Sequence, residues 1–195
     1  TRMCLLNLFS GPYARTDGLG AYLTQAGWHD VVQIDNDGER GGGWGHDIHN
    51  DAAYSRLLAR AAAGAFDGIM IAFPCSTSSI ARFFDATNND GGDRGPPIIR
   101  DFDRPDGLPD GELDPKHILE LRTSNQLLER VVNIAIAARS SPARTTIIFE
   151  NPVDRSPGAS IASAPEFAKH GSIFRTSWFK RLAAAIGLSH CTFAQ

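Results

Sequence analysis

Cysteine, membrane-length apolar runs and excess charge are all scarce in this 195-residue chain. Cys4, Cys75 and Cys191 stand far apart and are odd in number, which gives neither a disulfide framework nor a zinc spacing. A reduced compartment suits them. No apolar run approaches the roughly 20 residues that a bilayer-spanning helix needs, and no basic segment followed by a signal-type apolar core opens the chain. The expectation is a soluble intracellular protein with no membrane partner. A formal net charge of -3 provides no global field for nucleic acid, so any phosphate binding has to come from local clusters. The histidines, His46 and His49 among them, lack a ligand spacing; no metal is expected, and they read as structural or exposed. Trp28, Trp44 and Trp178 read as packing residues rather than base-stacking groups. No internal repeat or low-complexity tract appears, and one domain over residues 1–195 is expected.

What the chain does have is an alternation of short apolar runs and helical patterns. Met3 to Phe9 suits a buried strand closed by Ser10-Gly11-Pro12, and Asp17 suits the N-cap of a helix over 18–26 that Gly27 stops. Val31 to Ile34 predicts a second strand ending at Asp35, where a carboxylate can accept hydrogen bonds from ribose hydroxyls. Asp51 suits the cap of a second helix running to Ala63, with Gly64 as its end. A third strand from about Phe66 delivers Cys75 beyond its carboxyl end, as a candidate nucleophile or as a small buried hydrophobe. Residues 84–115 dissolve into Asn, Asp, Gly, Pro and Arg and suggest a flexible lid. A long helix over 116–138 follows, with Ile118, Leu121, Leu128, Val131, Val132 and Ile136 available for its apolar face. Thr145 to Phe149 then predicts a strand ending in the carboxylate of Glu150, 178–186 predicts a helix stopped by Gly187, and Cys191 to Phe193 suits another strand. The order argues for an α/β fold, a Rossmann-like, doubly wound, mostly parallel sheet with helices on both faces.

Several of these positions together resemble the cytosine-C5 DNA methyltransferase family. Leu8-Phe9-Ser10-Gly11 with Gly18-Leu19 is similar to its first motif, Asp35 to its ribose-binding acid, and His46-Asp47-Ile48 to the motif whose aspartate meets the adenine amino group. Phe73-Pro74-Cys75 with Ser79 resembles the nucleophile motif, Ser124-Asn125-Gln126-Leu127 a motif lining the donor pocket, and Phe149-Glu150-Asn151-Pro152 the base-contacting motif. The resemblance implies Cys75 and Glu150 as the catalytic pair. It also implies S-adenosylmethionine as methyl donor and S-adenosylhomocysteine as product. The donor would be held by Phe9, Ser10, Gly11 and Pro12, by Asp35, by Asp47 and Ile48, and by Pro74 and Asn125. The implied acceptor is cytosine in DNA, flipped out of the duplex because stacking shields its C6 atom.

In that setting Arg82, Arg94, Arg100 and Arg104 are available for phosphate contacts, or form the solvated surface of the lid. The chain departs from the family at Asn7, where Asp is usual, at Tyr13-Ala14 in place of Gly-Gly, and at Phe73, Ser78 and Pro152. It shows no Gln-x-Arg-x-Arg motif and no C-terminal recognition region. Two alternatives therefore stand beside the DNA reading. One is a methyltransferase acting on RNA or a small molecule, and the other is an inactive protein that binds a nucleoside or docks a partner.

Overall fold

The computed structural model describes residues 3–11, 16–38, 42–83, 95–159 and 165–189. The chain forms two compact units, Thr1–Phe73 with Gln126–Glu150, and Pro74–Asn125 with Asn151–Gln195.

The first unit is built on four strands, β1 (Cys4–Leu8), β2 (Asp30–Ile34), β3 (Gly68–Ala72) and β4 (Thr146–Glu150). They pair in the order β2-β1-β3-β4, every pair parallel. The helices α1 (Leu19–Gln25) and α2 (Asp51–Ala62) fill the crossovers. A parallel sheet needs apolar cover. Leu6, Leu8, Ile69 and Ile71 share one face and are at most 1% exposed, each burial contributing about 1.5–3 kcal/mol. The sheet flanked by helices is the expected Rossmann-like α/β arrangement. At its edge β4 keeps Ile148 56% exposed.

The helix starts differ by one residue from those the sequence suggests. Gly18, not Asp17, is the N-cap of α1, and no side chain caps it. Asn50, not Asp51, caps α2: its backbone is extended, and its side-chain oxygen accepts from the amides of Ala52 and Ala53. Asp51 is already the first helical residue, where its charge suits the positive end of the helix. The long helix α3 spans Pro115–Ser140 and contributes residues to both units. Leu128, Val131, Val132, Ile134, Ala135 and Ala138 are all fully buried, so its inner face passes through Ile134 and Ala135 rather than the half-buried Ile136.

The second unit has little regular structure besides the start of α3 and the helix α4 (Ser177–Ile186). The side chain of Thr176 caps α4, and Gly187, at φ 65°, closes it. Short 3-10 turns at Ser76–Ser78, Ile80–Phe83, Asp110–Glu112, Pro165–Phe167 and Ile173–Arg175 supply the remainder. Of the expected lid, residues 84–94 lie outside the described residues, as does the strand expected at 191–193. The rest of the lid is tied into its unit. Ile99 is fully buried, its carbonyl accepts from Leu108, and Arg104 pairs with Asp101 and Glu112.

Candidate functional site

In the first unit the strand order reverses between β1 and β3, which lie side by side although β2 and two helices separate them in sequence. Loops leaving the carboxyl ends of two such strands run apart, and ligands of open α/β sheets bind at that opening. The loop after β1 carries Phe9, Ser10 and Gly11. Phe9 sits in the left-handed region at φ 63°, a costly conformation for a residue with a side chain. The turn points the amides of Phe9 and Ser10 at the carbonyl of Ile34, at 2.8 and 3.3 Å. The next amide, that of Gly11, donates to Asp35 Oδ2 at 3.0 Å, while Asp35 Oδ1 accepts from Asp37. The strand-tip acid and the glycine turn are thus joined directly. Gly42 lies against them as well: a Cβ there would stand 1.9 Å from the Asp35 carbonyl oxygen, so only glycine fits. Pro12 lies outside the described residues.

Asp47 Oδ1 accepts the amide of His49 at 2.8 Å, and Ile48 is 2% exposed. Arg130 on α3, which no motif singled out, holds this loop. It donates to the carbonyls of Ile48 (2.8 Å) and His49 (3.0 Å), pairs with Asp51, and lies over the Tyr54 ring at 4.7 Å. Roughly eighty residues separate it from its partners, so no spacing rule could have found it. Trp44, expected to pack, is 75% exposed. At the other strand tips, the Phe73 ring meets Phe9 edge-on at 5.6 Å and stacks on Phe149 at 6.1 Å. Glu150 ends β4, paired in register with Ala72, and is half-buried.

Cys75 belongs to the second unit, three residues beyond Ala72. Pro74 before it is exposed, and Cys75 itself is half-buried. Cys75 caps the turn Ser76–Ser78 with φ -90° and ψ 0°, in the sparsely allowed bridge region where active-site residues often sit. Every residue of that turn is held. The Cys75 carbonyl accepts from the Ser78 amide at 2.9 Å, and the Ser76 carbonyl from Arg82 Nε at 2.6 Å. The Thr77 and Ser124 hydroxyls share a hydrogen bond of 3.0 Å, and the Ser78 carbonyl accepts from His170 Nε2 at 2.9 Å.

Arg82 and Arg100 do other work than expected. Arg82 is buried, donating to Ser76 and Pro97 carbonyls and pairing with Glu120. Arg100 is 1% exposed and donates to the Pro105 carbonyl and to Asn125 Oδ1. Burial pushes its guanidinium down to about 10, with Asp106 and Glu120 opposing the shift and Arg82 adding to it. Arg82 and Arg100 are therefore not available for phosphate, and Arg104 is engaged by two carboxylates. Arg94 lies outside the described residues. Asn125 uses its amide twice within the unit, Oδ1 toward Arg100 and Nδ2 toward the Asp106 carbonyl at 2.8 Å. Asp154 accepts from Arg175 at 2.7 Å; burial disfavours its charge, but Ser156 and Arg175 hold its carboxyl well below the usual range.

Among the described residues no cluster of His, Cys, Asp and Glu could hold a metal ion, and no helix is long and apolar enough to cross a membrane. Comparison with protein-family models, with curated proteins and with solved structures found no match.

Proposed function

We propose that this chain is an S-adenosylmethionine-dependent methyltransferase that acts on C5 of cytosine through a covalent adduct with Cys75. The observation that carries the reading is the bond between the Gly11 amide and Asp35 beside the strand reversal. It puts a ribose-competent carboxylate next to an open glycine turn. The fit to an adenosyl group is good on two counts. Each Asp35 oxygen accepts one backbone amide and keeps lone pairs for ribose hydroxyls, and among the described residues beyond its chain neighbours nothing lies within 4 Å of where a Gly11 Cβ would stand. Phe9, Ser10, Gly11 and Asp35 would hold the ribose end, and Asp47 and Ile48 the adenine.

Bound S-adenosylmethionine supplies an electrophilic methyl group. The residues of this chain make cytosine able to take it. Addition of the Cys75 thiolate to C6 breaks the C5–C6 double bond and places the electron pair on C5. Glu150, ending the strand next to β3, would hydrogen-bond N3 and stabilise the charge that develops on the ring. Once C5 carries the methyl group, loss of its proton expels the thiolate and restores the double bond.

DNA is the expected acceptor, and one observation favours a second reading. Arg82 and Arg100 are buried and spent on internal bonds, which favours a small cytosine-bearing acceptor over a phosphate backbone. Calorimetric titration with S-adenosylhomocysteine tests the donor. Binding is expected, and folded protein that binds none refutes the methyltransferase reading. Trapping with 5-fluorocytosine, free as the nucleoside or within an oligonucleotide, tests the chemistry and separates the two acceptors. The covalent adduct should disappear in Cys75→Ser, and its persistence there would remove Cys75 from the mechanism.

A further inference from the structure

His170 is a buried titratable side chain that the proposed chemistry does not use, at 1% exposure. Both of its ring nitrogens are engaged. The amide of Arg155 donates to Nδ1 at 3.2 Å, and Nε2 faces the carbonyl of Ser78 at 2.9 Å. An amide can only donate, so Nδ1 carries a lone pair; a carbonyl can only accept, so Nε2 carries the proton. Asp154 Oδ1, at 3.8 Å from Nδ1, is beyond hydrogen-bond reach. The imidazole is thereby held in one orientation by a partner on each nitrogen. Its mount is fixed as well, since the His170 amide donates to Phe167 at 2.8 Å, its backbone bridges to Asp101, and the Phe83 ring meets the imidazole at 5.5 Å.

The bond that Nε2 makes ends on the turn that carries Cys75. Ser78 closes that turn by donating its amide to the Cys75 carbonyl, while Cys75 itself sits in the bridge region. A turn in a sparsely populated conformation persists when its surroundings over-determine it. We propose that His170 is a positioning residue for Cys75, holding the Ser76–Ser78 turn through Ser78 so that the thiol keeps its reactive orientation. The proposal rests on the methyltransferase reading for the identity of the nucleophile. It also excludes His170 as the base for the thiol, because neither nitrogen is free to exchange a proton with it.

The test compares His170→Asn with His170→Gln. Asparagine retains an oxygen to accept the Arg155 amide but cannot reach Ser78, whereas glutamine places an N–H where Nε2 stood. Adduct formation with 5-fluorocytosine should slow by about 10- to 100-fold in His170→Asn and return to within about threefold of the original in His170→Gln. Alkylation of Cys75 by iodoacetamide, resolved from Cys4 and Cys191 by mass spectrometry, should change in His170→Asn and recover in the same way. S-adenosylhomocysteine affinity should stay constant in both, which establishes that they are folded. An unchanged Cys75 alkylation rate in His170→Asn, or an equal loss in the two variants, overturns the proposal. Failure of the original protein to form any adduct refutes the nucleophile reading instead, and alkylation still decides the role of His170.

Discussion

The two units reach order by different means. In the first, parallel strands share backbone ladders, and apolar side chains such as Leu6, Leu8, Ile69 and Ile71 fill one face of the sheet. In the second, where ladders are few, long side chains satisfy the main chain: Arg82 donates to Ser76 and Pro97, Arg100 to Pro105, and His170 to Ser78. Buried carbonyls need donors whether or not a helix or strand supplies them. An arginine in a glycine- and proline-rich stretch can therefore be a structural strut rather than a hand held out to phosphate.

The sharpest way to break this contrast is Arg100→Leu. It should cost about 3–5 kcal/mol, because Pro105 and Asn125 lose their donor and Asp106 and Glu120 lose a neighbouring cation. Urea unfolding measures it, and a loss below about 1 kcal/mol would mean that apolar packing dominates both units. Leu6→Ala, at a fully buried position in the sheet, should cost about 3 kcal/mol. Hydrogen exchange separates the two variants. Arg100→Leu should expose amides of α4 first, and Leu6→Ala those of β1. Asn50→Ala removes a cap from the first unit and should cost about 1 kcal/mol, read by the same unfolding curves.

The smallest effect is a pH dependence in the second unit. Asp154 has a folded pKa below its usual 3.8, so the unfolded chain binds its proton more readily. Its stabilising contribution is complete above that value and is lost as pH falls toward the lower folded one. Asp154→Asn should accordingly flatten the fall of Tm below pH 4. A slope unchanged by the substitution would show that Asp154 adds nothing to the polar framework.

This same contrast decides what could be read from the sequence. Strands β1 to β4 and helix α3 were legible because burial imposes a local period on apolar residues. Asp35, Cys75 and Glu150 could be placed near strand ends for the same reason, since they follow apolar runs directly. The helix caps were displaced by one residue because Asp17 and Gly18, and Asn50 and Asp51, are adjacent residues of similar capping preference. Nothing local distinguishes an extended Asn50 from a helical Asp51. The roles of Arg100, Arg130 and His170 were not legible at all. Each is fixed by partners 5 to 92 residues away, through carbonyls that every residue possesses.

The exposure of Ile148 on β4 has a practical consequence. Ile148 stands more than half exposed on a strand with one ladder neighbour among the described residues, inside the sequence Thr-Ile-Ile-Phe. An apolar, β-prone segment that exposes such a side chain is a template for another extended chain, and crowding favours the encounter. Concentrated preparations should scatter light through slow, concentration-dependent aggregation that begins at this strand. Ile148→Lys should suppress that aggregation without altering the core, because a lysine there points its charge at solvent and repels a second copy.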